Sequence, residues 1–169
     1  RLPEEYCLAI DYGTMNAFAA LLFAKISGAW YAVREYYYSG RDKGVQKTDE
    51  QYAQDIDTWL MDITPGQRIE TIIDPSAASF IALLQKTDWA KVHKADNDVL
   101  NGIRETATAM NLQLFGVYAG IKEWAQEMGG YVWDDKSIEE RPIKVADHMA
   151  DATRYFIKTK HILRQNRRR

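Results

Sequence analysis

The sequence predicts one mixed α/β domain, in which a central sheet is flanked by helices. Three strand-like segments come first, at residues 6–10, 17–25 and 29–38, and Ser27-Gly28 between the last two is typical of a tight hairpin turn. Later segments alternate between strand and helix, which extends the order to βββαβαβα. A chain of 169 residues that is 46% hydrophobic can bury one full core.

The first three strands should be antiparallel and adjacent, because short turns join them. Residues 6–10 form a nearly continuous apolar run, which predicts a strand that is covered on both faces and ends at Asp11 and Gly13. Cys7, the only cysteine, lies inside this run. It is therefore predicted to be a buried structural thiol, and a chain with one cysteine fits a reducing compartment.

Caps and periodicity predict the remaining elements. After an exposed polar loop at residues 39–47, Thr48 and Gln51 form a capping box that opens a helix ending at Pro65-Gly66. The later elements are a strand at 69–73, a helix at 74–85, a strand at 89–93, a helix opening at 96–98 with Val99, Ile103, Ala107 and Met110 inward, a helix at 117–128 and a helix at 145–163.

Bulk composition narrows the functional classes. The sequence has no apolar run near the roughly 18 residues that a membrane span needs, and no signal-peptide pattern, so a soluble chain is expected. It begins with Arg1, which fits a piece of a longer protein. A formal charge of −2 argues against a uniformly basic surface that binds nucleic acid, but net charge does not exclude a local basic groove. The basic end, residues 158–169, either contacts phosphates or is a solvated terminus.

Three segments deliver aspartates to the ends of elements. Asp11 and Asp74 each follow an apolar strand, whereas Asp147, Asp151 and Arg154 share one stripe of the last helix. Mg²⁺ and Mn²⁺ prefer carboxylate oxygens, which strand and helix ends hold rigidly. If the segments converge, the sequence predicts a divalent-metal site and phosphodiester hydrolysis. The simpler alternatives are a turn residue at Asp11, a helix cap at Asp74 and a surface ion pair at Asp151.

Five short blocks occur in order along the chain. They are Ile10-Asp11-Tyr12-Gly13-Thr14, Ile73-Asp74-Pro75-Ser76-Ala77, Asn97-Asp98-Val99-Leu100-Asn101-Gly102-Ile103-Arg104, Tyr131-Val132-Trp133-Asp134 and Asp147-His148-Met149-Ala150-Asp151-Ala152-Thr153-Arg154-Tyr155. Together they resemble the C-terminal nuclease domain of tailed-bacteriophage large terminase subunits, and the resemblance runs over nearly the whole chain. That family has an RNase H-like fold and cuts concatemeric viral DNA during genome packaging.

Carried over by position, the resemblance implies that Asp11, Asp74 and Asp151 bind metal and are catalytic together with His148. It implies in-line attack by a metal-activated water, with two Mg²⁺ or Mn²⁺ ions about 3.5–4 Å apart. Three roles stay open for His148, which could orient the third carboxylate, contact the scissile phosphate or ligate a second ion. Asp147 is expected to support or cap this helix rather than to bind metal.

The resemblance also implies a domain layout and partners. Residues 1–163 would be the nuclease domain and 164–169 a basic tail, while an N-terminal ATPase domain of the same polypeptide would lie outside this chain. Double-stranded DNA, the portal and the small terminase subunit would be partners in the host cytoplasm. No G-x-x-x-x-G-K-[ST] motif occurs, so no ATPase activity is expected of this chain.

DNA contacts are expected to be directed mainly at the phosphate backbone. Among the lysines and arginines near the blocks, the candidates are Lys94, Arg104 and Lys144. Arg154 is expected instead to pair with a carboxylate and anchor its own helix.

Two alternatives stay open at the level of sequence. A Holliday-junction resolvase of RNase H-like fold also opens with Asp-Tyr-Gly-Thr, although the block from Asn97 to Arg104 with Trp133 is not typical of resolvases. A non-catalytic domain that only docks to DNA or to a packaging partner would leave the three aspartates unexplained.

Overall fold

A six-stranded mixed sheet with helices on both faces forms the centre of the computed structural model, which describes residues 2–13, 17–132 and 147–166. The strands are β1 (Glu5–Tyr12), β2 (Phe18–Ile26), β3 (Ala29–Tyr38), β4 (Ile69–Ile73), β5 (Ala90–Lys94) and β6 (Phe115–Val117). Their order across the sheet is β5-β4-β1-β2-β3-β6. The predicted mixed α/β fold is confirmed.

Strand polarity follows the predicted pattern. β1, β2 and β3 pair antiparallel in sequence order, as predicted, whereas β4 pairs parallel to β1 and β5 pairs parallel to β4. Ser27 and Gly28 make the turn between β2 and β3 with φ of 52° and 78°. Because β1, β4 and β5 are parallel, their carboxyl ends meet at one edge of the sheet, where ligands of open α/β sheets usually bind.

Seven helices surround the sheet in the described part of the chain. They are α1 (Gly40–Lys43), α2 (Asp49–Leu60), α3 (Ala78–Leu84), α4 (Val99–Asn111), α5 (Lys122–Val132), α6 (His148–Thr159) and α7 (Ile162–Asn166). One core cluster joins α2 and α3 to one face of the sheet, and a second joins α4, α5 and α6 to the other. Among the described residues, no helix is both long and apolar enough to cross a bilayer.

β1 is buried on both faces, as its continuous apolar run predicts. Cys7 and Ala9 belong to the core cluster on the α6 side, whereas Leu8 and Ile10 belong to the cluster on the α2 side, and all four are fully buried. Side chains alternate between the faces of a strand, so Asp11 falls on the α6 side. Burial raises the pKa of the Cys7 thiol well above its ordinary value.

α6 packs along one face of the sheet through its apolar stripe, with its first turn at the carboxyl end of β1 and its last residues near the start of β1. Met149, Ala152 and Phe156 are fully buried, and the rings of Phe156 and Phe23 stack with centroids 3.8 Å apart. Such burial contributes about 25 cal/mol per Å² of apolar surface, so this face sets where the helix lies.

Two helices differ from their predicted extent at one end. The capping box of α2 is confirmed, because Thr48 and Gln51 bond to each other's backbone N–H, but the helix ends at Leu60, before Pro65-Gly66. The last predicted helix is divided between α6 and α7, because His161 adopts φ of 52°, a left-handed conformation that a helix cannot continue through. Val145, where it was predicted to start, lies outside the described residues.

Three further predictions were wrong in detail. The loop predicted at residues 39–47 contains the single turn α1, which Ser39 caps. The helix predicted from residue 117 begins at Lys122, and the segment before it forms β6. The inward stripe of α4 consists of the small residues Gly102, Thr106 and Ala109, while Val99 and Ala107 are exposed, because α4 faces α6 and a large side chain would hold the two helices apart.

Candidate metal centre

The four predicted catalytic residues lie at the same edge of the sheet. Asp11 stands near the carboxyl end of β1, and Asp74 directly follows β4, its parallel neighbour, in which Ile73 pairs with Ile10. His148 and Asp151 belong to the first turn of α6, which packs on this side. The three sequence segments therefore lie at one edge of the sheet, and the convergence of their carboxylates on a shared metal stays a prediction.

Tyr155 of α6 connects the two strand-end carboxylates. Its hydroxyl group lies 3.0 Å from Asp74 Oδ2 and 3.4 Å from Asp11 Oδ1. Burial, followed by the negative charge of Asp11, raises the pKa of Tyr155, so the phenol keeps its proton and remains a donor. One hydroxyl proton can serve only one acceptor at a time, so Tyr155 joins the two carboxylates without fully satisfying both.

His148 contacts Asp11. Its Nδ1 lies 2.8 Å from Asp11 Oδ2, and the two side chains are 17% and 14% exposed. The hydrogen bond to Asp11 outweighs burial and raises the pKa of His148. His148 therefore pairs with Asp11. One of the roles considered from the sequence, orientation of the third carboxylate, would have needed a contact with Asp151 instead.

Asp74 is held by several donors and does not cap α3. Its Oδ1 accepts from the backbone N–H of Ser76 at 2.7 Å, and its Oδ2 accepts from Asn97 Nδ2 at 2.8 Å. The predicted helix therefore starts only at Ala78. Burial alone would raise the pKa of Asp74, but the hydrogen bonds from Ser76 and Tyr155 outweigh it and lower the pKa.

Arg154 ties Asp151 to this network. It donates through Nε and Nη2 to Asp151 Oδ1, both at 3.3 Å, and through Nη1 to Asn97 Oδ1 at 3.1 Å. The predicted pairing of Arg154 with a carboxylate is confirmed, and the structure shows that this carboxylate, Asp151, belongs to the same helix. Burial, followed by the charge of Asp11, raises the pKa of Asp151 to about 6 even though Arg154 opposes the shift.

Asp147 stands at the N-cap position of α6, but its side chain makes no capping hydrogen bond. The capping role proposed for it from the sequence is therefore not observed. The N–H groups of Met149 and Ala150 bond instead to Glu127 of α5. Nothing in the sequence indicated Glu127, whereas Tyr155 and Asn97 stood inside the quoted blocks without an assigned role.

The donor set suits a hard divalent cation, because it consists of carboxylate oxygens on fixed elements. Among the residues that the structure describes, however, no three His, Cys, Asp or Glu side chains form a preformed metal cage. Each aspartate is instead engaged by a donor of the protein: Asp11 by His148, Asp74 by Asn97 and Asp151 by Arg154.

The three residues predicted to contact DNA differ in their position relative to the site. Lys94 is exposed at the end of β5, where it pairs with Ile73, the residue before Asp74. Arg104 is exposed on α4. Lys144 lies outside the described residues, as do residues 167–169 of the basic tail.

Comparisons with known proteins identify relatives among solved structures. Comparison with protein-family models and with curated proteins gave no match. A large terminase from a thermophilic bacteriophage, solved in complex with ADP, is 44% identical with a TM-score of 0.85, over 94% of this chain and 40% of that chain. The P22 large terminase nuclease domain is 16% identical with a TM-score of 0.67, over 96% of this chain and 85% of that chain.

A further similarity is to the large terminase nuclease domain of bacteriophage SPP1 with bound Mn, which is 14% identical with a TM-score of 0.63, over 93% of this chain and 87% of that chain. At these low identities, the similarities show only that this chain shares its fold with the P22 and SPP1 domains. The 44% identity to the ADP-bound terminase shows that the chain belongs to the large-terminase family. The chain spans 40% of the length of that relative.

Replacing Gly102 should disturb the network through Arg154. A Cβ at this position would lie 2.8 Å from Cγ and 2.9 Å from Cδ of the buried Arg154 side chain, so Arg154 must move. We expect Gly102→Ala to lower the free energy of unfolding by about 1–3 kcal/mol, as overpacking usually does. Urea unfolding monitored by circular dichroism measures this change.

The matched control is Gly129→Ala, in α5, where nothing lies within 4 Å of the new Cβ. This substitution should raise the free energy of unfolding by about 0.5–1 kcal/mol, because alanine is more stable than glycine inside a helix. Equal stability of the two variants would contradict the close packing of α4 against Arg154.

The raised pKa of Asp151 predicts a pH-dependent stability. Between its ordinary pKa of 3.8 and about 6, the folded chain retains a proton that the unfolded chain has lost, so this group destabilises the fold as pH rises. In EDTA, Asp151→Asn should therefore gain stability relative to the wild type from about pH 4 to about pH 7. Urea unfolding across this range measures the difference, and a difference independent of pH would contradict the shift.

Proposed function

We propose that this chain is a divalent-metal-dependent DNA endonuclease that cuts concatemeric viral DNA during genome packaging. The observation that carries the proposal is the placement of Asp11, Asp74 and Asp151 at one edge of the sheet, with His148 bonded to Asp11, in a member of the large-terminase family. Two related nuclease domains add support, because the SPP1 domain was solved with bound Mn and the domain of the thermophilic phage G20c with bound zinc.

The residues that would hold the metal are Asp11, Asp74 and Asp151. Mg²⁺ or Mn²⁺ suits their oxygen donors, and two ions would fit the mechanism that the family resemblance implies. When bound, the metal supplies an activated water and neutralises charge on the phosphodiester. Burial, followed by the charge of Asp11, raises the pKa of Asp151 to about 6, and a bound cation would favour the charged carboxylate against both effects.

The surrounding residues orient these carboxylates. His148 holds Oδ2 of Asp11, so its Nδ1 is committed to positioning that carboxylate. Tyr155 sets the spacing between Asp11 and Asp74 through its hydroxyl group. Arg154 restrains Asp151 and so keeps the third carboxylate on the side of the other two.

DNA would approach from the carboxyl edge of the sheet. Lys94 is exposed one strand away from Asp74, so it can meet a phosphate near the site, and Arg104 and Lys144 remain further candidates. Such contacts fix the position of the duplex without reading its sequence, as expected of an enzyme that cuts many sequences.

The proposed partners follow from the family. Large terminases that are 44% identical to this chain were solved with ADP and with ATP-gamma-S, which supports an ATPase domain in the same polypeptide as this chain. We further propose that the portal and the small terminase subunit are partners, and that the protein acts in the cytoplasm of the infected host.

Removing any one of the three carboxylates should abolish cutting. We expect Asp11→Asn, Asp74→Asn and Asp151→Asn each to lose Mn²⁺-dependent nicking of supercoiled plasmid while keeping the wild-type circular dichroism spectrum. Mn²⁺ should also raise the melting temperature of the wild type but not of these variants, because ligand binding at a hundredfold excess over Kd adds about 2.7 kcal/mol to stability.

The control for these variants is Asp88→Asn, which changes an exposed carboxylate in the turn before β5, at the opposite end of the sheet. It should cut like the wild type. Full activity in all three site variants would exclude the assignment. Cutting confined to a synthetic four-way junction, with linear and supercoiled duplexes left intact, would favour the resolvase alternative instead.

Lys94 should contribute to DNA affinity but not to chemistry. Lys94→Ala should weaken duplex binding equally for unrelated sequences and reduce the slope of log affinity against log salt by about one, because one phosphate contact is lost. Fluorescence anisotropy at several salt concentrations measures the slope. Lys86→Ala, which removes an exposed lysine after α3, should leave the slope unchanged, and an equal effect of both variants would contradict a contact at Lys94.

A further inference from the structure

The first turn of α6 is stabilised from outside its own sequence. A helix begins with backbone N–H groups that none of its own carbonyls accepts, and the residue before the helix usually supplies an acceptor side chain. Asp147 occupies that position without making the hydrogen bond. Because His148 and Asp151 belong to this turn, whatever stabilises it also acts on the backbone that carries two of the four site residues.

Glu127 of α5 supplies the missing acceptor. Its Oε2 accepts from the backbone N–H of Met149 at 2.7 Å and of Ala150 at 3.2 Å. These are the second and third residues of α6, the positions that a capping side chain normally serves. A carboxylate placed here also complements the positive end of the helix dipole. Glu127 therefore acts as a cap that comes from a different helix.

α5 is itself fixed to the sheet by the same kind of contact. Glu35 of β3 accepts from the backbone N–H groups of Lys122 at 2.6 Å, Glu123 at 3.0 Å and Trp124 at 2.9 Å. Trp124 Nε1 also donates to Thr153 Oγ1 of α6 at 3.0 Å. The position of Glu127 is thus defined by α5, which is attached to β3 at its start and to α6 along its side.

Glu127 occupies this place at an electrostatic cost. Burial raises its pKa to about 7, although the two backbone hydrogen bonds lower it. Other charged groups around it are His148, which favours the charged carboxylate, and Asp147, which opposes it. Burial and the charge of Asp147 both disfavour a charged carboxylate at this position. The location of Glu127 is therefore better explained by the two backbone N–H groups that it satisfies than by packing.

We propose that Glu127 is a positioning residue of the candidate metal centre. By capping α6 from α5, it sets the orientation of the turn that presents His148 to Asp11 and that places Asp151 beside them. The consequence for metal binding and cutting rests on the proposed nuclease function, whereas the cap itself does not.

The experiment compares Glu127→Ala, the isosteric Glu127→Gln and the wild type. The control is Glu123→Ala, which removes a carboxylate one turn earlier in α5 and leaves the contacts of Glu127 intact. Three quantities are measured well below the melting temperature: amide hydrogen exchange of Met149 and Ala150, Mn²⁺ affinity by calorimetry, and kcat and KM for plasmid cutting.

Glu127→Ala should lose protection of the two amides and lose about 10–100-fold in Mn²⁺ affinity or kcat, the range found when a residue that orients metal ligands is removed. KM for DNA should change by less than about twofold, because the DNA contacts are untouched. Glu127→Gln should recover most of the loss, since its carbonyl oxygen can accept both N–H groups, and Glu123→Ala should match the wild type.

Unchanged amide exchange in Glu127→Ala would overturn the cap. Lost protection with wild-type Mn²⁺ affinity and kcat would overturn the positioning role and leave only a contribution to stability. If the wild type neither binds Mn²⁺ nor cuts DNA, the proposed function fails, and the exchange measurement still decides whether Glu127 caps α6.

Discussion

Three carboxylates held at one edge of a sheet repel one another, and the arrangement of the site follows from how that repulsion is relieved. Each carboxylate has a different counterpart: a histidine for Asp11, a set of neutral donors for Asp74 and an arginine for Asp151. Their environments separate the pKa values, which fall for Asp74 and rise for Asp151. A divergence of this kind among neighbouring acids is typical of a functional site.

α6 carries the residues that complete the site, and it is fixed along its whole length. Its first turn bonds to Glu127, and its middle packs through Phe156 against the sheet. At its end, Lys160 pairs with Glu5 of β1 at 2.8 Å and with Glu70 of β4 at 2.6 Å. The strands that present Asp11 and Asp74 are therefore the ones to which α6 is attached, which couples the position of the helix to theirs.

Features that depend on the local sequence could be predicted from it. The apolar run of β1 predicts a strand buried on both faces, and Thr48 with Gln51 predicts the start of α2, because the interactions responsible lie within a few residues of one another. The position of Asp11 and of Asp74 at the end of an apolar strand could likewise be predicted, whereas the parallel pairing of these two strands is known from the structure.

Features that depend on a partner element could not be predicted in this way. The inward stripe of α4 is set by the close approach of α6 at Gly102. The prediction chose the larger apolar residues of α4 as the buried ones, and it was wrong for this reason. β6 has only three residues and is defined by its pairing with β3. Glu127 gains its role through a residue that lies 22 positions later in the chain, and no local pattern records such a contact.

The burial of Cys7 bears on how the molecule can be studied. Its thiol is fully enclosed between the sheet and α6, and burial raises its pKa, so the reactive thiolate is scarce at neutral pH. Since the chain has no other cysteine, a cysteine introduced on the surface would be the one thiol that a maleimide reagent modifies readily. The native sequence is thus already suited to site-specific spectroscopic labelling, without prior removal of its own cysteine.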